Sequence, residues 1–200
     1  MLKVGLTGGL ATGKSFVGET LRDLGCHLLK ADEIGHEVLA RGGEAYDAVV
    51  REFGDGILDP SGAIDRKRLA AEVFEKPERL AALNRIVHPL VIRREEEWMA
   101  EIAGRDPRAI AVVEAAILIE TGSHKRFGKI ILAVCDEQQQ VERAMRREGA
   151  AREEVLARIR HQMPLEEKRR YADFVIDTSG GKDDTRQQVG EVYNQLQSLL

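Results

Sequence analysis

Residues 8–15 read Gly-Gly-Leu-Ala-Thr-Gly-Lys-Ser, a full match to GxxxxGK followed by Ser or Thr. An apolar run at residues 2–7 precedes the match and a helical pattern follows it, so strand, turn and helix come in the order a phosphate cradle requires. At average residue usage the pattern arises by chance in well under about one in a hundred chains of this length. Gly8 and Gly13 let the backbone bend around a phosphate, the loop amides turn inward, and the helix N-terminus adds the positive end of its dipole. Lys14 is then placed to reach the β and γ phosphates of a nucleoside triphosphate, and the Ser15 hydroxyl to hold Mg²⁺. No GxGxxG occurs, so a dinucleotide fingerprint is not an alternative.

The rest of the chain fits the same α/β class. Strand-like runs fall at residues 2–7, 27–31, 109–114, 129–134 and 174–177, separated by helical patterns, which is the rhythm of a parallel sheet. The interval between the second and third runs is too long for one crossover and is patterned as several helices, so it reads as an inserted lobe. Within it Asp65 is placed to cap a helix over 66–74, Pro77 opens another, and His88-Pro89 starts a long helix that Gly104 and Pro107 stop. Residues 137–148 read as a helix, 151–170 as a mixed-charge helical segment broken near Pro164, and 183–200 as an amphipathic helix with Val189, Val192, Tyr193 and Leu196 on one side. The expected organisation is a single domain. Its core is at about 1–31, 108–148 and 172–200, its helical lobe at about 32–107, and its lid at about 149–171.

Composition excludes other functions. A net charge of −4 argues against a polyanion-binding face while permitting a local basic pocket, and five Phe, three Tyr and one Trp leave few platforms for stacking nucleic-acid bases. No stretch approaches the length and apolarity of a membrane span, and because the chain opens directly into a strand-like run, neither a secretory signal nor a membrane anchor is expected. Cys26 and Cys135 form no CxxC and are expected to be buried thiols in a reducing, cytoplasmic compartment. The five His residues make no HExxH pair. Asp32 to Gly35 matches the DxxG of GTPases, but about one such match is expected by chance at this Asp and Gly content, and no NKxD-like sequence accompanies it.

Two carboxylates remain candidates on position. Asp32 falls just past the second strand-like run, and ligands of open parallel sheets gather outside the carboxyl ends of the strands. It could orient or deprotonate an acceptor hydroxyl, or cap the following helix. Glu114 ends the third run and could act on Mg²⁺ through water, or be a surface carboxylate.

With these residues in place the chain resembles the dephospho-coenzyme A kinase family of P-loop nucleoside and nucleotide kinases, almost end to end. The resemblance is carried by Val4-Gly5-Leu6-Thr7-Gly8-Gly9, Ala31-Asp32, Phe53-Gly54 with Ile57-Leu58 and Gly62, Ile64-Asp65-Arg66, Leu69 and Val73-Phe74. His88-Pro89-Leu90, the run from Glu114 to Glu120, Arg143 and Arg147, Arg158 with Gln162, and Ala172-Asp173 through Val175-Ile176-Asp177 to Gly180 continue it. The family usually has Gly and Ser where this loop has Ala11 and Thr12, an acidic residue at Lys30, Pro-Leu-Leu at Ala116-Ile117-Leu118, and Asn at Thr178.

The resemblance implies a five-stranded parallel core in three layers, a helical substrate lobe, and a lid that closes over ATP. It implies transfer of the γ-phosphoryl group of ATP, with Mg²⁺, to the 3′-hydroxyl of dephospho-coenzyme A. On this chain Asp32 and Lys14 become the catalytic groups. Gly8, Gly9, Leu10, Ala11, Thr12, Gly13, Lys14, Ser15, Phe16, Arg143 and Arg147 hold ATP, and Asp32 and His88 face the acceptor. His88 alternatively caps the helix that Pro89 opens. A monomer is expected, with a weak oligomer as the alternative. Another small-molecule or nucleoside monophosphate kinase of this fold, or a non-catalytic nucleotide switch, are the competing functions.

Overall fold

The structure, a computed structural model, describes residues 1–73 and 76–200. One five-stranded sheet contains β1 (Leu2–Gly8), β2 (His27–Lys30), β3 (Ile110–Glu114), β4 (Lys129–Val134) and β5 (Phe174–Asp177). Every pair is parallel and the order is β2-β3-β1-β4-β5, with Leu6 level with Glu114 on one side and Ile131 on the other. The helices in chain order are α1 (Lys14–Asp23), α2 (Ala31–Leu39), α3 (Tyr46–Phe53), α4 (Arg66–Val73), α5 (Pro77–Arg105), α6 (Glu137–Glu148), α7 (Arg152–Arg160), α8 (Leu165–Lys168) and α9 (Lys182–Gln197). No helix among the described residues is long and apolar enough to cross a membrane.

The apolar runs become strands because central strands of a parallel sheet are covered on both faces. All five residues of β3 and the last five of β1 are buried. Val4, Leu6, Val112, Ile131 and Ala133 of the sheet pack with Val17 and Leu21 of α1 and with Val189, Val192 and Leu196 of α9. Each fully buried Leu or Ile here contributes about 1.5–3 kcal/mol. The amphipathic stripe expected at the C-terminus is therefore core. Cys26 and Cys135 are both free and buried, and burial pushes the Cys26 thiol up to about 12.

The chain divides into two compact units, one of Met1–Lys30 with Met99–Leu200 and one of Ala31–Trp98. The first holds the sheet. The second is helical and opens at α2, directly after β2. Within it Asp65 Oδ1 accepts the amides of Lys67 (2.9 Å) and Arg68 (3.2 Å) at the start of α4, the capping its position predicts. Phe74, the expected last residue of that helix, lies outside the described residues. Arg94 donates to Glu37 at 2.8 Å and also lies 3.4 Å from Glu44, tying α5 to α2 and to the turn after it.

One expected boundary is absent. Rather than starting at His88-Pro89, the long helix begins at Pro77 and runs through Pro89 to Arg105, 29 residues in all. A proline at an interior position lacks one N–H and crowds the preceding turn, at about 3 kcal/mol. The helix bears this because the bonds on both sides persist and Ala82, Met99 and Ile102 are buried. Pro89 alone therefore does not mark an end.

Candidate active site

The sheet order places a crevice where the connections leaving β1 and β3 diverge, the position at which parallel α/β sheets collect ligands. The 8–15 loop leaves β1 there. A Cβ on Gly8 would lie 2.4 Å from Thr12 Oγ1 and 2.7 Å from the Ala133 carbonyl, so no larger residue fits. Gly13 has φ +81°, in the left-handed region, and a Cβ would also meet Thr178 at 3.1 Å. Ala11 has φ 54° without being glycine, a strain of about 1–2 kcal/mol that the surrounding bonds must offset. Those bonds are short-range: buried Thr12 donates its hydroxyl to the Gly9 carbonyl at 3.1 Å, and Lys14 Nζ donates to the same carbonyl at 3.0 Å. The loop is thus closed on itself, with Lys14 lying across it.

Ser15 Oγ donates to Glu114 Oε1 at 2.8 Å, and Glu114 is buried. Among the described residues no group of three His, Cys, Asp or Glu could hold a metal ion by itself. A hydroxyl and a carboxylate side by side are hard oxygen donors, and Mg²⁺ is commonly held by one or two protein oxygens together with substrate phosphates and water. The donor set fits Mg²⁺ in that form. Glu114 is therefore a buried partner of Ser15 and not a surface carboxylate.

On the far side of the loop, Thr178 follows β5 and braces it. Its hydroxyl bonds the Thr12 carbonyl at 2.9 Å and the Val134 carbonyl at 3.2 Å, while Arg143 donates to its hydroxyl at 3.0 Å and to its carbonyl at 2.6 Å. Residues 11–16 line a cleft of about 140 Å³ together with Arg143 and Arg147 of α6. Arg147 pairs with Glu148, which also receives Arg158 of α7. Although burial opposes it, these guanidinium bonds hold the Glu148 carboxyl below its usual range. The Phe16 ring sits 5.6 Å from Lys182 Nζ and 5.3 Å from Arg186 Cζ of α9, geometry suited to cation–π attraction.

Several contributors escaped the sequence reading. Leu10 is held through both of its backbone groups: its amide donates to Gln162 Oε1 at 2.9 Å and its carbonyl accepts Gln140 Nε2 at 2.7 Å. Not every loop amide is therefore turned inward as the motif suggested. The Leu10 side chain is buried with Val141, Ala144 and Val155, so a position the motif leaves variable is a core residue joining the loop to α6 and α7. Lys168, the last residue of α8, is fully buried and bonds the Gly8 and Ala116 carbonyls. Leu10 lies 152 and 130 positions from its two glutamine partners, and Lys168 lies 160 positions from Gly8 and 52 from Ala116, so no local pattern signals these bonds.

The helical unit holds the other two candidates. Asp32 is exposed and is the second residue of α2, which begins at Ala31. It is thus inside the first turn and not the cap, where its charge complements the helix dipole. His88 lies in the interior of α5, so it does not cap a helix start. Burial lowers the pKa of its half-buried ring.

A family model described as dephospho-CoA kinase matches residues 2–184. A dephospho-CoA kinase of Aquifex aeolicus is 40% identical over 196 residues, covering 98% of each chain. Among solved structures, TT1252 from Thermus thermophilus superposes with a TM-score of 0.82 at 35% identity over 98% of this chain and 97% of that one. A dephospho-CoA kinase from Campylobacter jejuni does so with a TM-score of 0.71 at 27% identity, with the same coverage.

Proposed function

The chain belongs to the dephospho-CoA kinase family, and from that premise we propose how its residues divide the work. The reaction is ATP-dependent phosphorylation of dephospho-coenzyme A at its ribose 3′-hydroxyl, the last step of coenzyme A synthesis. The match over nearly the whole chain carries this reading.

Residues 8–15 bind the triphosphate through backbone amides and the N-terminus of α1, where backbone donors and the helix dipole both favour negative charge. Lys14 leaves the Gly9 carbonyl and bonds the β and γ oxygens, stabilising charge as the phosphoryl group transfers. Ser15 would hold Mg²⁺, with Glu114 acting on it through water, and the ion would supply charge neutralisation at the triphosphate. Arg143 and Arg147 contact the phosphates from the cleft wall, and Phe16 borders the nucleotide. Asp32 accepts the proton of the 3′-hydroxyl as that oxygen bonds to the γ phosphorus and the bond to the β-phosphate oxygen breaks, giving ADP and coenzyme A. Its place in the first residues after β2, at the carboxyl end of a parallel strand, supports that role. The helical lobe with His88 holds the acceptor, and residues 149–171 form the lid. The enzyme of this reading is a monomer, and its two buried free thiols support a reducing, cytoplasmic compartment.

The test follows ADP release from ATP and Mg²⁺ with and without dephospho-coenzyme A. Release should depend on the acceptor and yield coenzyme A in equal amount. Slow release indifferent to the acceptor would instead indicate a nucleotide switch.

A further inference from the structure

Lys168 is fully buried, and its ammonium has three acceptors: the Ala116 carbonyl at 2.8 Å, the Gly8 carbonyl at 3.2 Å and Glu120 Oε1 at 2.9 Å. An ammonium has three N–H donors, so the group is saturated. We propose that Lys168 is a positioning residue for ATP binding, which fixes the first peptide of the phosphate loop from behind. The proposal rests on the reading that residues 8–15 hold the ATP phosphates.

A buried ion pair contributes little net stability compared with apolar side chains of similar volume, because desolvation of the charges offsets their attraction. Stability is thus a weak reason for a lysine here, whereas an apolar side chain could not hold a carbonyl. The carbonyl in question belongs to Gly8, where strand becomes loop. The peptide joining Gly8 to Gly9 is planar and trans, so its C=O and N–H point to opposite sides. A charge-assisted bond that fixes the Gly8 carbonyl therefore fixes the Gly9 amide on the other side of the peptide.

The neighbours of Lys168 act on the same loop. Glu120 Oε1 also accepts the Met163 amide at 3.2 Å, and Gln162 accepts the Leu10 amide at 2.9 Å. The Ala116 carbonyl additionally accepts the Thr7 hydroxyl at 3.2 Å, just ahead of the loop. Two consecutive peptides of the loop are thus set by residues 162–168, a segment that carries none of the residues assigned to the phosphates. This segment, the C-terminal part of the proposed lid, is thereby tied to the cradle.

The experiment uses the full chain and a fluorescent ATP analogue. Lys168→Met alone would leave Glu120 buried without its partner, so it is paired with Glu120→Gln. The double variant should fold but melt several degrees lower, because the Gly8 and Ala116 carbonyls lose a donor. It should bind the analogue about tenfold more weakly while keeping its KM for dephospho-coenzyme A within about twofold. A folded double variant with native affinity would show that the pair serves stability only and would overturn the proposal. If it does not fold, Lys168→Arg carries the test: weakened ATP affinity with an unchanged acceptor KM supports positioning, and native affinity overturns it. Failure of both to fold would assign the lysine to stability and reject the proposal. Lys14→Ala is the control for the underlying reading: unchanged analogue binding there would remove the loop assignment itself.

Discussion

The Ser15 hydroxyl donates a 2.8 Å hydrogen bond to Glu114, joining the first turn of α1 to the last residue of β3 across the crevice of the sheet. The bond places a hydroxyl and a carboxylate where a P-loop enzyme needs oxygen donors. Replacing Glu114 with Gln keeps an acceptor for Ser15 and removes the charge. The variant should need about 10–100-fold more Mg²⁺ for half-maximal rate, the range for partners that support a metal site. Titrating Mg²⁺ at saturating ATP and acceptor checks this, and an unshifted midpoint would separate Glu114 from the metal.

Lys14→Ala should leave a folded protein with phosphoryl transfer almost abolished. The lysine side chain is half-buried and bonds the Gly9 carbonyl of its own loop, so little packing is lost. Removing a positive charge aimed at the transferring group should cost about 3–4 kcal/mol, or 10²–10³-fold in kcat. Circular dichroism with steady-state kinetics reads both halves of the statement. Near-native turnover in a folded variant would sink the assignment.

The parts of this architecture visible in the sequence are those whose cause is local. Continuous apolar runs mark the five strands within a residue or two, and β1, β3 and β4, buried over most of their length, need no alternation. Gly8, Gly13, Lys14 and Ser15 were legible because their spacing is itself the phosphate cradle. The start of α5 was misplaced because Pro89 is a local stop signal that buried residues elsewhere on the helix override. Lys168 and Gln140 carry no local signal, and the brace that Thr178 makes carries none either, since each acts on a carbonyl 130 to 166 positions away. Thr178 stands where the family usually has Asn, yet its hydroxyl bonds the Thr12 carbonyl directly.

Trypsin should cut the lid region unevenly. Arg152 and Arg160 are exposed, whereas Lys168 is fully buried against the loop. Cleavage of the native protein should therefore fall after Arg152, Arg160 and the exposed Arg169 and Arg170, and spare the bond after Lys168. ATP and dephospho-coenzyme A together should slow it if the segment closes over bound substrates and excludes water. Mass spectrometry of early fragments gives the sites, and equal rates with and without ligands would mean that α7 is only a solvated helix.

His88 gives a pH dependence of defined sign. Burial lowers its pKa in the folded protein below the ordinary 6.5, so the unfolded chain takes up the proton first as pH falls. Its contribution to stability is full above about pH 6.5 and is lost as pH drops through the folded value. His88→Gln cannot protonate and should lose less melting temperature than the native protein between pH 7 and 5. Because the ring is only half-buried, solvent screening limits the difference to about 1–2 °C. Parallel melting curves at both pH values would show that the imidazole does not sense folding.

Asp32→Asn separates two roles for the second residue of α2. If the carboxylate serves only the helix dipole, the loss is about 0.3–1 kcal/mol of stability with kcat unchanged. If it accepts the acceptor's proton, the nearly isosteric amide removes the base and should lower kcat by about 10²–10⁴-fold. Phosphoryl transfer through a loose transition state needs the nucleophile deprotonated only late, which favours the lower half of that range. ATP affinity should hold, because the phosphate contacts belong to residues 8–15 and α6. Measuring kcat and the ATP Kd of this variant distinguishes the outcomes: a fall in kcat alone supports the base, an unchanged kcat leaves only the dipole, and weakened ATP binding places Asp32 on the nucleotide or its metal.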